Sequence, residues 1–129
     1  MLLDTHVALW LLADDPKLGR EARATISSQT DVMVSTASLW EMAIKQASGK
    51  LTVPSDIIVR VEDAGVQWLD VRAPHAWAIS TIEGLPHSDP FDRLLIAQAA
   101  IERVALMTAD RTLLDFEGSP AIRLLDARI

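Results

Sequence analysis

The stretch that constrains this chain most is Asp89-Pro90 followed by Phe91-Asp-Arg-Leu-Leu-Ile-Ala-Gln-Ala-Ala-Ile101. Aspartate before proline reads as a helix N-cap with proline at the first helical position, where its fixed φ and missing N–H cost nothing. The residues at 91, 94–97 and 99–101 are apolar, more than one helical face requires, so this helix is expected to be buried on most of its circumference. Asp92 falls in its first turn, so the core helix carries an acidic tip.

Around that helix the sequence alternates short apolar runs with helical patterns. Met1-Leu-Leu3, Val32-Met-Val34, Val66–Val71, Val104–Met107 and Ile122–Leu125 read as strands. Helical spacing runs from near His6 to Leu12, from Leu18 to Ile26, from Ser35-Thr36 to Gly49, from Ile57 to about Asp63 behind a Ser55-Asp56 cap, and from Pro74 to Ile79. Leu51–Pro54 and Leu85-Pro86-His87 read as connections. Strands alternating with helices imply parallel strands joined by crossovers, hence an α/β sandwich. With no internal repeat or linker, residues 1–129 are expected to form a single domain.

Composition narrows the chemistry. The absence of cysteine excludes a disulfide framework, a thiolate metal site and a cysteine nucleophile. A net charge of −6, from 12 Lys+Arg against 18 Asp+Glu, argues against binding nucleic acid through bulk charge, so any such role must be local. Asp4 interrupts the opening apolar run, which argues against a signal peptide, and no window approaches the roughly 18 apolar residues of a membrane span. A cytoplasmic protein is expected.

In an open parallel sheet, ligands bind beyond the carboxyl ends of the strands. Asp4 follows the first strand, Glu41 lies in the helix entered from the second, Asp92 tips the central helix and Asp110 follows the fourth. Each acid also has a local explanation. Asp4 and Asp110 suit caps, Ser38-x-x-Glu41 fits a capping box, Glu41 with Lys45 makes an i,i+4 pair, and Asp92 complements the helix dipole. Capping, however, needs one acid per helix and does not call for four at one sheet edge. Carboxylates converging within a few ångströms repel one another, and a divalent cation is the usual stabiliser. All-oxygen donors, with His6, His75 and His87 scattered and expected at the surface or in loops, point to Mg²⁺ or Mn²⁺ rather than zinc. Such a site acts on a phosphodiester or phosphate ester. Thr5 and Thr108, each beside an acid, are candidates to orient a carboxylate or water.

Leu3-Asp4-Thr5-His6, Ser35–Lys45, His87–Ala100 and Met107-Thr-Ala-Asp110 together resemble the PIN domain, specifically VapC-type toxin ribonucleases, in the family's order and over nearly the whole chain. The resemblance implies a PIN-like α/β/α sandwich with a central, mostly parallel sheet. It implies a Mg²⁺- or Mn²⁺-dependent endoribonuclease, the toxin of a toxin–antitoxin pair, often dimeric and held inactive by a small antitoxin protein. Asp4, Glu41, Asp92 and Asp110 fall on the family's acidic positions, and Asp89 is an extra acid ranked below Asp92. Lys45, Lys50, Arg93 and Arg111 are candidates for phosphate contacts to the RNA. Trp10, Trp40, Trp68 and Trp77 supply either core or a partner surface; an antitoxin helix would lie beside Trp10 or Trp40, with an arginine against Asp4 or Asp92.

Two other readings stay open. A different Mg²⁺-dependent α/β phosphohydrolase fits poorly, because an aspartyl nucleophile usually has a second Asp two positions on, where this chain has His6. A receiver domain wants a Lys after a late strand, where this chain has Asp126. A non-catalytic interaction module on the same scaffold is the second alternative.

Overall fold

The computed structural model describes residues 1–82, 84, 89–116 and 122–129; the Leu85-Pro86-His87 connection expected from the sequence, His87 included, lies outside the described residues. In chain order the elements are β1 (Leu2–Leu3), α1 (Thr5–Leu12), α2 (Arg20–Ser28), β2 (Met33–Ser35), α3 (Thr36–Ala47), α4 (Ile57–Asp63), β3 (Gln67–Leu69), α5 (Ala73–Ala78), α6 (Pro90–Glu102), β4 (Leu106–Thr108), α7 (Arg111–Leu114) and β5 (Leu124–Asp126). The five strands form one sheet in the order β3-β2-β1-β4-β5, every pair parallel.

The two-residue periodicity of a strand divides the core between the sheet's faces. Leu3, Val34, Met107 and Leu125 pack with Val7 and Ala8 of α1, Ala22 and Ile26 of α2, Met42 of α3 and Val61 of α4. Their neighbours Leu2, Met33, Leu106 and Leu124 pack with Leu95, Ile96 and Ala99 of α6 and Leu113 of α7. Helices on both faces make the α/β/α sandwich expected from the alternation. Five successive residues of α6, Leu95 to Ala99, are buried, which a helix achieves only when covered nearly all round. Asp89 is its N-cap, with Oδ1 accepting from the N–H groups of Phe91 (2.9 Å) and Asp92 (3.2 Å).

Beyond β5 the chain doubles back onto the start of α2. Ala127 N–H donates to Thr108 O (2.9 Å), Gly19 N–H to Ala127 O (2.9 Å) and Glu21 N–H to Ile129 O (3.0 Å). A Cβ on Gly19 would lie 2.2 Å from the carbonyl carbon of Ile129, so this glycine is needed for close approach of two backbones.

Several expectations change. The run Val66–Val71 contributes only Gln67–Leu69 as strand, and the last strand shifts from Ile122–Leu125 to Leu124–Asp126. Helix α3 is capped by Ser35, whose Oγ accepts from Ala37 N–H at 3.0 Å, not by a Ser38–Glu41 box; Ser38 lies inside the helix and is buried. Asp56 occupies the cap position of α4 without capping it, because its carboxylate turns to Arg60 Nε at 2.7 Å. His75 is fully buried rather than at the surface. Its Nδ1 accepts from Arg72 N–H (2.9 Å) and its Nε2 lies 3.0 Å from Glu102 Oε2, so both ring nitrogens are satisfied away from water.

Candidate active site

From β1 the chain moves outward through β2 to β3, then returns to the other flank of β1 with β4 and β5. The strand order therefore reverses between β1 and β4, where the outgoing crossovers diverge and leave a crevice at the carboxyl ends. Asp4 leaves β1 and Asp110 follows β4, on either side of that crevice. Glu41, in the second turn of α3, and Asp89 and Asp92, at the tip of α6, complete the ring. The cleft they line has a volume of about 270 Å³, and its other walls are His6, Trp10, Lys45, Ala109 and Arg128.

Three of these carboxylates are held from behind. Asp4 is buried; its Oδ1 accepts from Thr5 N–H (2.6 Å) and its Oδ2 from the Thr108 hydroxyl (2.7 Å). Glu41 is also buried. Its Oε1 accepts from the Thr5 hydroxyl (2.6 Å), itself 2.9 Å from Ser38 Oγ, and its Oε2 meets Lys45 Nζ at 2.6 Å. Asp110 caps α7, accepting from Thr112 N–H (2.8 Å) and Leu113 N–H (3.4 Å). Thr5 and Thr108 thus donate to acids of the cleft while their own side chains stay buried.

Crowding of like charge in a half-dry cleft shows in the proton affinities. Burial first, then the negative charges of Asp4, Asp89, Asp110 and Glu41, push Asp92 up from 3.8 to about 8. Burial likewise raises Asp4, against the opposing pull of the Thr108 and Thr5 hydrogen bonds. Lys45 moves up because its ammonium donates to Glu41, so it stays charged at neutral pH and offsets part of the cluster.

The five carboxylates suit a hard divalent cation: they offer only oxygen, and the two that resist ionising, Asp4 and Asp92, are those a cation would relieve. The expected convergence to within a few ångströms is not found. Among the described residues no three acidic or imidazole groups form a ready-made coordination shell.

Of the cations expected near phosphate, only Lys45 lines the cleft. Arg111 faces Asp126 at 3.7 Å, Arg93 is half-buried, and Lys50 is exposed past the end of α3. Sequence reasoning missed Arg128 and set His6 aside as a surface residue. His6 is exposed but forms part of the cleft wall. The overlooked signal for Arg128 was position: it follows the fifth strand at the same sheet edge. Trp40 and Trp77 are exposed, at 63% and 76%, and Trp10 and Trp68 half-buried.

Fold and cleft together define a class, the three-layer proteins with an acid-lined crevice at the switch point of a parallel sheet. Within that class residues 1–118 match the PIN domain, and the chain belongs to this family. It is 30% identical over 125 residues to Ribonuclease VapC22 of Mycobacterium tuberculosis, covering 88% of each chain. Its fold is similar to that in the VapBC2 structure from Rickettsia felis bound to a promoter DNA fragment, with a TM-score of 0.68, 14% identity and coverage of 97% and 96% of the two chains. It is also similar to the DNA-bound VapBC structure from Salmonella typhimurium, with a TM-score of 0.67, 20% identity and the same coverage of 97% and 96%. Among the described residues no helix is long and apolar enough to cross a membrane.

Proposed function

We propose that the chain is a metal-dependent endoribonuclease acting as the toxin of a toxin–antitoxin pair, with Asp4, Glu41, Asp92 and Asp110 holding Mg²⁺ or Mn²⁺. The observation that carries this reading is that these four acids, drawn from four separate stretches of sequence, line one cleft at the switch point of the sheet. Likeness to a protein named as a ribonuclease supports RNA as the substrate. Likeness to toxin–antitoxin complexes supports an antitoxin partner. Trp40 and Ile44 on α3 and Trp77 on α5 remain exposed, which leaves apolar surface for that partner or a second copy.

A bound divalent cation supplies Lewis-acid polarisation of a phosphoryl oxygen and a more acidic water. The chain's own residues supply the rest. Thr108 and the Thr5 amide fix Asp4 in one orientation, and Thr5 with Lys45 fixes Glu41, so neither has to reorganise. Asp92 must release its proton before it can act as a ligand, which couples loading of the cleft to pH. Lys45 lowers the electrostatic barrier to an incoming phosphodiester.

The test is to incubate purified protein with a mixed RNA pool in Mg²⁺, in Mn²⁺ and in EDTA, beside the Asp4→Asn and Asp92→Asn variants. Cleavage by the wild type alone, and only with metal, is expected. Variants as fast as wild type would overturn the site, and cleavage in EDTA would overturn the metal.

A further inference from the structure

We propose that Arg128 is a substrate-binding residue of this cleft, its guanidinium, seated on the Trp10 ring, receiving a backbone phosphate of the RNA. The proposal rests on the reading of the chain as a ribonuclease and adds a recognition element to it. A chain of net charge −6 with five carboxylates around one cleft must place positive charge locally to admit a polyanion. Among the described residues two cationic side chains line that cleft, Lys45 and Arg128. Lys45 is engaged, its Nζ 2.6 Å from Glu41 Oε2. Arg128 is held differently: its guanidinium carbon lies 5.8 Å from the centroid of Trp10, and among the described residues no carboxylate is within ion-pairing distance. A cation–π contact at this distance engages none of its N–H donors while restricting the side chain, which suits a fork-shaped donor to phosphate.

The backbone beneath Arg128 is fixed from both sides. Arg128 N–H donates to Asp126 Oδ1 at 2.9 Å, Ala127 bonds to both Thr108 and Gly19, and the Ile129 carbonyl accepts from Glu21. The side chain of Gly19, a single hydrogen, is what allows this docking, since a Cβ there would lie 2.6 Å from the carbonyl carbon of Arg128 itself. A solvated surface arginine needs no such seat. One that must present donors at a constant distance from Asp4 and Asp110 does.

The experiment measures binding of a short fluorescein-labelled single-stranded RNA of mixed sequence to the Asp92→Asn protein, alone and combined with Arg128→Ala, Arg128→Lys or Gly19→Ala, over a range of salt. Arg128→Ala is expected to weaken binding about tenfold, the loss of one charge-assisted contact, and to reduce the slope of log K against log salt by about 0.7. Arg128→Lys should keep the slope and recover only part of the affinity. Gly19→Ala should reproduce the Arg128→Ala loss by displacing the backbone, its fold checked by a thermal melt. In the Asp92-containing enzyme, the fall in kcat/KM of Arg128→Ala should lie chiefly in KM. A merely structural arginine would lower the melting temperature and leave the slope unchanged, and that result overturns the proposal. Wild-type protein that neither binds nor cleaves RNA would overturn the ribonuclease reading instead, so the two failures are distinguishable.

Discussion

At the carboxyl edge of the sheet, Asp4, Glu41, Asp89, Asp92 and Asp110 line one cleft with like charge; beneath α5, His75 and Glu102 meet as complementary partners. In the buried cluster, Nδ1 of His75 accepts from Arg72 N–H, which leaves the ring hydrogen on Nε2, facing Glu102. Gln98, from the middle of α6, adds a long contact from Nε2 to Asp70 O at 3.4 Å. The cleft does the opposite: its groups repel, and the proton affinities of Asp4 and Asp92 rise. A polar cluster whose members satisfy one another ties α5 to α6, whereas one whose members oppose one another is kept at a cost in stability and is the candidate functional surface. Gln98 Oε1 departs from this pattern, being buried without a hydrogen-bond partner among the described residues.

The contrast breaks first at Asp92. Replacing it by Asn should reduce metal-dependent RNA cleavage by at least about 100-fold while raising the melting temperature of metal-free protein, because the fold no longer has to hold that carboxyl protonated against its ordinary ionisation. Lower stability together with full activity would reverse its assignment. On the other side, His75→Ala should cost about 2–4 kcal/mol, since it leaves Glu102 and the Arg72 amide without their buried partner. Denaturant titration reads that loss, and cleavage per folded molecule should survive it.

pH probes the cleft without mutation. Asp92 holds its proton up to about 8 in the fold but has an ordinary value of 3.8, so between those values the folded state binds more protons than the unfolded. Its contribution is therefore most favourable below about pH 4 and is lost as pH rises towards 8. Discounted for the group's contact with water, the change is on the order of 1–2 kcal/mol. Melts of metal-free protein at pH 5 and pH 8 should show the higher stability at pH 5, and Asp92→Asn should flatten the difference. The smallest effect is expected at Asp89, where Ala should cost about 1 kcal/mol through loss of the cap on Phe91 and Asp92; a calorimetric shift well beyond that would mean that Asp89 does more than cap.

Much of this architecture was legible because it rests on local rules. The Asp89-Pro90 start, the all-round burial of α6 and the acids after β1 and β4 each follow from spacing over a few residues. What escaped depends on distant partners. His75 is the one ionisable residue in the otherwise apolar run Ala73–Ile79, and what lets it be buried is Glu102, far along the chain on another helix. Ser38–Glu41 looked like a capping box because the spacing is right, yet Ser35 lies earlier and takes the cap, freeing Glu41 for Thr5. The last strand lies at 124–126 instead of 122–125, and that small slip hid Arg128 as the residue that follows a strand end.

The central strand, β1, is the first in sequence, and β4, which flanks it, comes more than a hundred residues later, with Leu2 opposite Leu106 and Leu3 opposite Met107. The pairing is thus among the most non-local the chain makes, and such contacts form late, after a long loop has closed. During synthesis an emerging chain that has reached only α6 carries Asp4, Glu41 and Asp92, but not the Thr108 hydroxyl that orients Asp4, nor Asp110. If Asp4, Glu41, Asp92 and Asp110 form the site as proposed, it is assembled only once β4 and the turn behind it have joined β1.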